Sequence, residues 1–286
     1  MRFGKIDGMP EIAPFGISVR GASHKRTGKP CQDSRKIVVT PNAVFLTAAD
    51  GHGSSSCPHS KKGSQIAVNV FCDILSSYCE SYGNDLDSLM SFLDIEGDTT
   101  IARAIDVEWK KRVKTSYKKR GSSKKNASSD LIEDEQIWRQ YGTTLLGLVL
   151  LPYFYFAFQL GDGDILLIND NGAEHTVISE KLLGTETFSL SQPEAWQKSV
   201  SSVSHYPKKD MQYTFMVATD GFSNSYHTED AFLETCIDYY STIKEHGAET
   251  VESNLKAWLN ETSAMGSGDD ITVLFAYNNG EHDIVI

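Results

Sequence analysis

Four stretches of the 286-residue chain set aspartate against glycine at the end of an apolar run. Asp50-Gly51 follows AVFLTAA, Asp162-Gly163 follows FAFQLG and Asp220-Gly221 follows TFMVAT; in mirror image, Gly266-Ser267-Gly268 precedes Asp269, Asp270 and the run ITVLFAY. Any one of these alone reads as a turn, since Asp beside Gly is ordinary turn chemistry. Together they bring several hard oxygen donors to strand edges, with glycine letting backbone and solvent approach closely. Aspartates without accompanying Cys, and with few His nearby, favour Mg2+ or Mn2+ over zinc. Two such ions bridged by a carboxylate can activate a water and clamp the oxygens of an in-line displacement at phosphorus. His52, between Gly51 and Gly53, is of the type that protonates a departing alkoxide near neutral pH.

The remaining inventory narrows the field. The five cysteines, Cys31, Cys57, Cys72, Cys79 and Cys236, are odd in number and contain no CxxC pair, which favours free thiols in a reducing compartment over a disulfide framework. Neither SSSC nor PCQD opens a loop that ends in arginine, so a cysteine-nucleophile phosphatase is excluded. With 27 basic and 38 acidic residues the formal charge is −11, the wrong sign for a chain that lives on nucleic acid. No apolar run approaches the roughly 20 residues of a membrane span, and MRFGKIDGMPEIAPFG lacks the apolar stretch of a secretory signal. A cytoplasmic protein without membrane or nucleic-acid partners is expected, as a monomer.

The elements that must position these residues are legible in part. GISVRGASH, DSRKIVVT and AVFLTAAD read as strands. In SQIAVNVFCDILSSYCESYG, Ile66, Val70, Phe71, Ile74, Leu75 and Tyr78 recur at helical spacing and Gly83 is placed to end the run. TTLLGLVLL, YFYFAFQL, ILLIND and EHTVIS predict four strands, with Asn171-Gly172 as a hairpin turn. Their short connections predict antiparallel pairing in succession. YTFMVATD is a further strand, TEDAFLETCIDYYSTIKEHG and ETVESNLKAWLNETS are helices, and DITVLFAY is the last strand. The expected fold is α+β, two antiparallel sheets faced by helices, in a single domain over 1–286. WKKRVKTSYKKRGSSKKNASSDLIEDEQ reads as a helix end followed by a mobile surface insertion near 115–132.

PCQDS, AADGHGSSS, YGTTLLGLVL, FQLGDGDILLI, VATDGFSN and GSGDDITV, in this order over most of the chain, resemble the metal-dependent serine/threonine protein phosphatases of type 2C. That resemblance implies a sandwich of two antiparallel sheets flanked by helices, with two Mn2+ or Mg2+ ions at one end. It implies that Asp50 bridges both ions, that the Gly51 carbonyl and the residue at Gln32 serve the second, and that Asp220 and Asp269 complete the first. Asp162, with Asp220, matches a position that holds a third ion in some members. Asp33 is implied to orient the attacking water and His52 to be the general acid. The implied reaction is direct attack on phosphorus by a metal-bridging water, with a phosphorylated protein, the product of a Ser/Thr kinase, as substrate.

Two positions depart from the family pattern. Gln32 stands where many members carry a glutamate ligand, and contributes no charge. The arginine that often holds the substrate phosphate has no counterpart, its place falling at Gly28; His24, Lys25, Arg26 and Lys29 are the available substitutes. These departures keep two rival readings open: a catalytically weak pseudophosphatase that acts as a regulatory binding module, and a metal-dependent hydrolase of a small phosphoester.

Overall fold

A computed structural model describes residues 12–122, 133–179, 187–207 and 211–280. Two five-stranded antiparallel sheets form its centre. One runs β1 (Ile12–Val19), β10 (Ile271–Asn278), β9 (Tyr213–Ala218), β6 (Asp164–Asn169), β7 (Gly172–His175). The other runs β2 (Ser34–Val39), β3 (Val44–Ala49), β4 (Leu145–Leu150), β5 (Phe154–Leu160), β8 (Val200–His205).

Side-chain alternation explains why β3, β4, β5 and β9 read as unbroken apolar runs: each is covered on both faces. Val44, Leu46 and Ala48 of β3 meet Leu146 and Leu148 of β4 and Phe215 and Val217 of β9 in the layer between the sheets. Phe45 and Ala49 point the other way, with Phe71, Leu75 and Trp109. The helices over that outer face are α2 (Ser60–Tyr82), α3 (Leu86–Glu96) and α4 (Ala102–Ser122), the last two joined by a π turn at Gly97–Ile101. The short α5 (Asp134–Arg139) follows. Helices α7 (Glu229–His246) and α8 (Ala248–Met265) cover the opposite sheet through Phe232, Tyr240, Leu255 and Leu259. The layers are therefore helix, sheet, sheet, helix, as expected.

Several expectations are corrected. The first strand starts earlier than GISVRGASH and ends at Val19, and Ala22–Thr27 forms a short helix, α1. The aromatic strand β5 does not pair with β6: Gly161-Asp162-Gly163 carries the chain from one sheet to the other, with Gly161 at φ 113°. Short connections thus mark a sheet crossing here as well as hairpins. A hairpin joins β6 to β7 as read, but Gly172, at φ 127°, already pairs with Asn169, so its loop residues are Asp170 and Asn171. Residues 115–122, expected in a mobile insertion, continue α4; the rest of that segment, 123–132, lies outside the described residues. Among the described residues no helix is long and apolar enough to cross a membrane.

Register brings the acidic strand ends together. In one sheet the pairs Ser34 with Ala49, Ala48 with Leu146 and Leu145 with Leu160 put the start of β2, the end of β3, the start of β4 and the end of β5 at the same edge. In the other, Asp164 and Val273 both pair with Ala218, and Val19 with Ile271, so the ends of β1 and β9 lie beside the starts of β6 and β10.

Candidate metal centre and active site

Asp50 leaves β3 with its backbone held on both sides. Its N–H donates to Thr144 Oγ1 at 3.0 Å, and its carbonyl accepts from Thr143 Oγ1 at 2.7 Å and from the Thr144 N–H at 2.9 Å. The two threonines of YGTTLLG thus fix the direction of the Asp50 side chain. Gly51 is required by close approach, since a Cβ there would lie 2.6 Å from the Gln32 carbonyl oxygen. The His52 N–H donates to Gly142 O at 3.1 Å, and His52 Nε2 is buried with no hydrogen-bond partner.

Asp220 opens the short helix α6 (Asp220–Ser223), and its Oδ2 accepts from Asn224 Nδ2 at 2.9 Å. A Cβ at Gly221 would collide with the Asp270 carbonyl, so glycine is needed where β9 and the start of β10 close up. Asp33 is buried, and its Oδ2 accepts from Thr219 Oγ1 at 2.8 Å and Thr272 Oγ1 at 2.7 Å. Those two hydroxyls, on neighbouring strands, give one carboxylate oxygen a fixed direction.

The aspartates act on one another. Burial first, then the charges of Asp33, Asp269 and Asp162, push the Asp50 carboxyl well above the ordinary range. Burial and the charges of Asp50, Asp162, Asp269 and Asp164 do the same to Asp220. Asp33 is pushed up to about 7, chiefly by burial and against the pull of the Thr272 hydroxyl. Burial lowers His52 below the ordinary histidine value while Asp162 opposes it. Carboxylates that repel one another in a poorly solvated space fit hard dications, which would remove the repulsion.

Gln32 lies alongside. Its Nε2 donates to Ser60 Oγ at 2.6 Å and reaches His52 O at 3.4 Å, its carbonyl accepts from Ser64 Oγ, and its Oε1 receives no hydrogen bond. The basic candidates diverge. Arg26 is exposed, Lys25 bonds Asn260, and Lys29 Nζ donates to Gly53 O at 2.9 Å. His24 is buried, with Nδ1 2.9 Å from Asp270 Oδ2 and Nε2 3.7 Å from Asp269 Oδ1. Sequence reasoning had no role for Asp270, which also accepts the Gly21 and Gln32 N–H groups, each at 2.6 Å. Thr219 and Thr272 were likewise unassigned; the place of Thr219 before Asp220, and of Thr272 one residue removed from Asp270, was the available signal.

The family model described as Protein phosphatase 2C matches residues 20–260, and the chain belongs to that family. Solved structures share the fold at low identity. A bacterial serine phosphatase superposes with TM-score 0.60 at 13% identity, over 96% of this chain and 99% of its own. The S. agalactiae serine/threonine phosphatase gives 0.58 at 15%, over 93% and 99%. The catalytic domain of the serine threonine protein phosphatase PstP, in complex with two manganese ions, gives 0.54 at 12%, over 93% and 97%. No curated protein matches the sequence.

Proposed function

We propose that this chain is a metal-dependent phosphoserine and phosphothreonine protein phosphatase. The observation that carries the reading is the meeting of Asp50, Asp162, Asp220 and Asp269, from edges of both sheets, in one space where burial and the neighbouring charges raise the proton affinity of Asp50 and Asp220. That PstP, which shares the fold, is solved in complex with two manganese ions supports a divalent-cation centre here. When bound, two Mn2+ or Mg2+ ions held by Asp50, the Gly51 carbonyl, Gln32, Asp220 and Asp269, with a third near Asp162 and Asp220, would supply positive charge and make hydroxide available near neutrality.

The chain's own residues supply direction and protons. Asp33 Oδ1 has no donor on it while Oδ2 is fixed by two threonines, so Asp33 can accept a proton from an attacking water and aim it. The water oxygen bonds to phosphorus, the bond from phosphorus to the Ser or Thr oxygen breaks, and His52, in the protonated fraction that its burial reduces, delivers the Nε2 proton to that oxygen. No covalent phosphoenzyme is needed. Arg26 and Lys29, on the segment before Gln32, are the cations left to meet the phosphate.

The test is release of phosphate from a phosphothreonine peptide. Turnover that requires Mn2+ or Mg2+, stops in EDTA and falls to background in Asp50→Asn supports the reading. Wild type and variant equally inert with every metal, both folded, would make the chain a regulatory binding module instead.

A further inference from the structure

His24, Asp269 and Asp270 form, among the described residues, a group whose metal-ligating atoms all lie within 4.8 Å of one another. Asp270 is already committed: its two oxygens accept the Gly21 and Gln32 N–H groups, and His24 Nδ1 approaches Oδ2 at 2.9 Å in a bent contact. The opposite ring nitrogen, Nε2, is turned toward Asp269 Oδ1 at 3.7 Å.

A second observation points to the same place. Gln32 is 9% exposed, and with Nε2 turned to Ser60 and His52 its Oε1 is left without a donor. A Cβ at Gly53 would lie 3.5 Å from Gln32 Oε1 and 3.7 Å from His24 Nε2. An amide oxygen and an imidazole nitrogen thus face one space, with a carboxylate beside it.

The charge of this corner selects its occupant. A phosphate would meet Asp269 and Asp270 at close range, whereas a cation meets two carboxylates, a neutral oxygen and a nitrogen. A carboxylate 2.9 Å from one imidazole nitrogen, not yet hydrogen-bonded to it, with the other nitrogen facing a donor cluster, is a short rotation from the arrangement that orients metal-ligating histidines. We propose that His24 Nε2, Gln32 Oε1 and Asp269 are ligands of one divalent-cation position, so that this centre carries a nitrogen donor among its oxygens. This rests on the reading of the carboxylates as a dication centre. A nitrogen donor biases that position toward Mn2+ and against Mg2+.

The experiment uses Mn2+ itself as the probe, in nitrogen-free buffer, on the full chain. Electron spin echo spectroscopy of the loaded wild type should show nitrogen directly bound to manganese. The coupling should persist in His52→Gln and vanish in His24→Asn, whose amide nitrogen can keep the Asp270 contact but lacks Nε2. Mn2+ affinity in His24→Asn should fall by about tenfold or more, with a smaller change for Mg2+. A folded His24→Asn that retains the coupling, or a wild type that binds Mn2+ without it, overturns the proposal and leaves the carboxylate centre standing; His24 then serves only as a neighbour of Asp269 and Asp270. Failure of the wild type to bind Mn2+ at all overturns both.

Discussion

Asp33 shows how a buried carboxylate weakens the metal-free fold. Its carboxyl is raised from 3.8 to about 7, so the folded chain holds a proton there that the unfolded chain releases. The stabilising contribution of that proton is fully present below 3.8 and is lost as pH rises to about 7. In EDTA the melting temperature should fall between about pH 4 and about pH 7, and Asp33→Asn, which keeps an oxygen for both threonines, should flatten that fall. Near pH 8 the variant should melt higher than wild type by roughly 2–4 °C per kcal/mol of repulsion removed, while losing turnover. A wild type whose metal-free stability is independent of pH across this range contradicts the account. His52 makes a different prediction, because its proton matters only to a basic leaving group. His52→Gln should slow hydrolysis of a phosphothreonine peptide on the order of 10²-fold, and that of p-nitrophenyl phosphate far less. Equal losses on both substrates would show that His52 does not serve as the acid.

At the scale of elements, what matters is the closeness of strand ends. Gly221 lets the turn after β9 sit against the Asp270 carbonyl, which sets the distance between Asp220 and Asp269. Gly221→Ala should therefore cost about 1–3 kcal/mol of stability from overpacking and also lower metal affinity, measured by urea unfolding and by Mn2+ titration. Loss of stability with unchanged metal affinity would show that the two strand ends are positioned independently. The same elements show what could be read in advance. Core strands β3, β5, β9 and β10 were legible because burial on both faces leaves continuous apolar runs, and the acidic strand ends because each stands beside glycine where such a run stops. Strand β8 was not, since VSSVSH lies at a sheet edge and is only half-buried. Helix α4 is dominated by charge, and its buried face is the thin stripe Ile105, Trp109 and Val113, a four-residue spacing that was present but outweighed. The junction of His24 with Asp270 joins opposite ends of the chain, and only the pairing of β1 with β10 makes them neighbours.

The whole molecule is a device for bringing the edges of two sheets to one centre. Asp50 comes from the sheet covered by α2 and α4, Asp220 and Asp269 from the sheet covered by α7 and α8, and Asp162 from the crossing between them. On the proposed function, a cation held by that set would tie the two sheets together where like charges otherwise push them apart, and would link metal binding, stability and catalysis. The most direct measurement is hydrolysis of p-nitrophenyl phosphate by purified protein with Mn2+, with Mg2+ and with EDTA, beside Asp50→Asn and Asp220→Asn. Activity that requires metal and disappears in both variants, while both remain folded, is the predicted result. Activity that persists in EDTA, or survives in either variant, would contradict the assignment of these carboxylates to a metal centre.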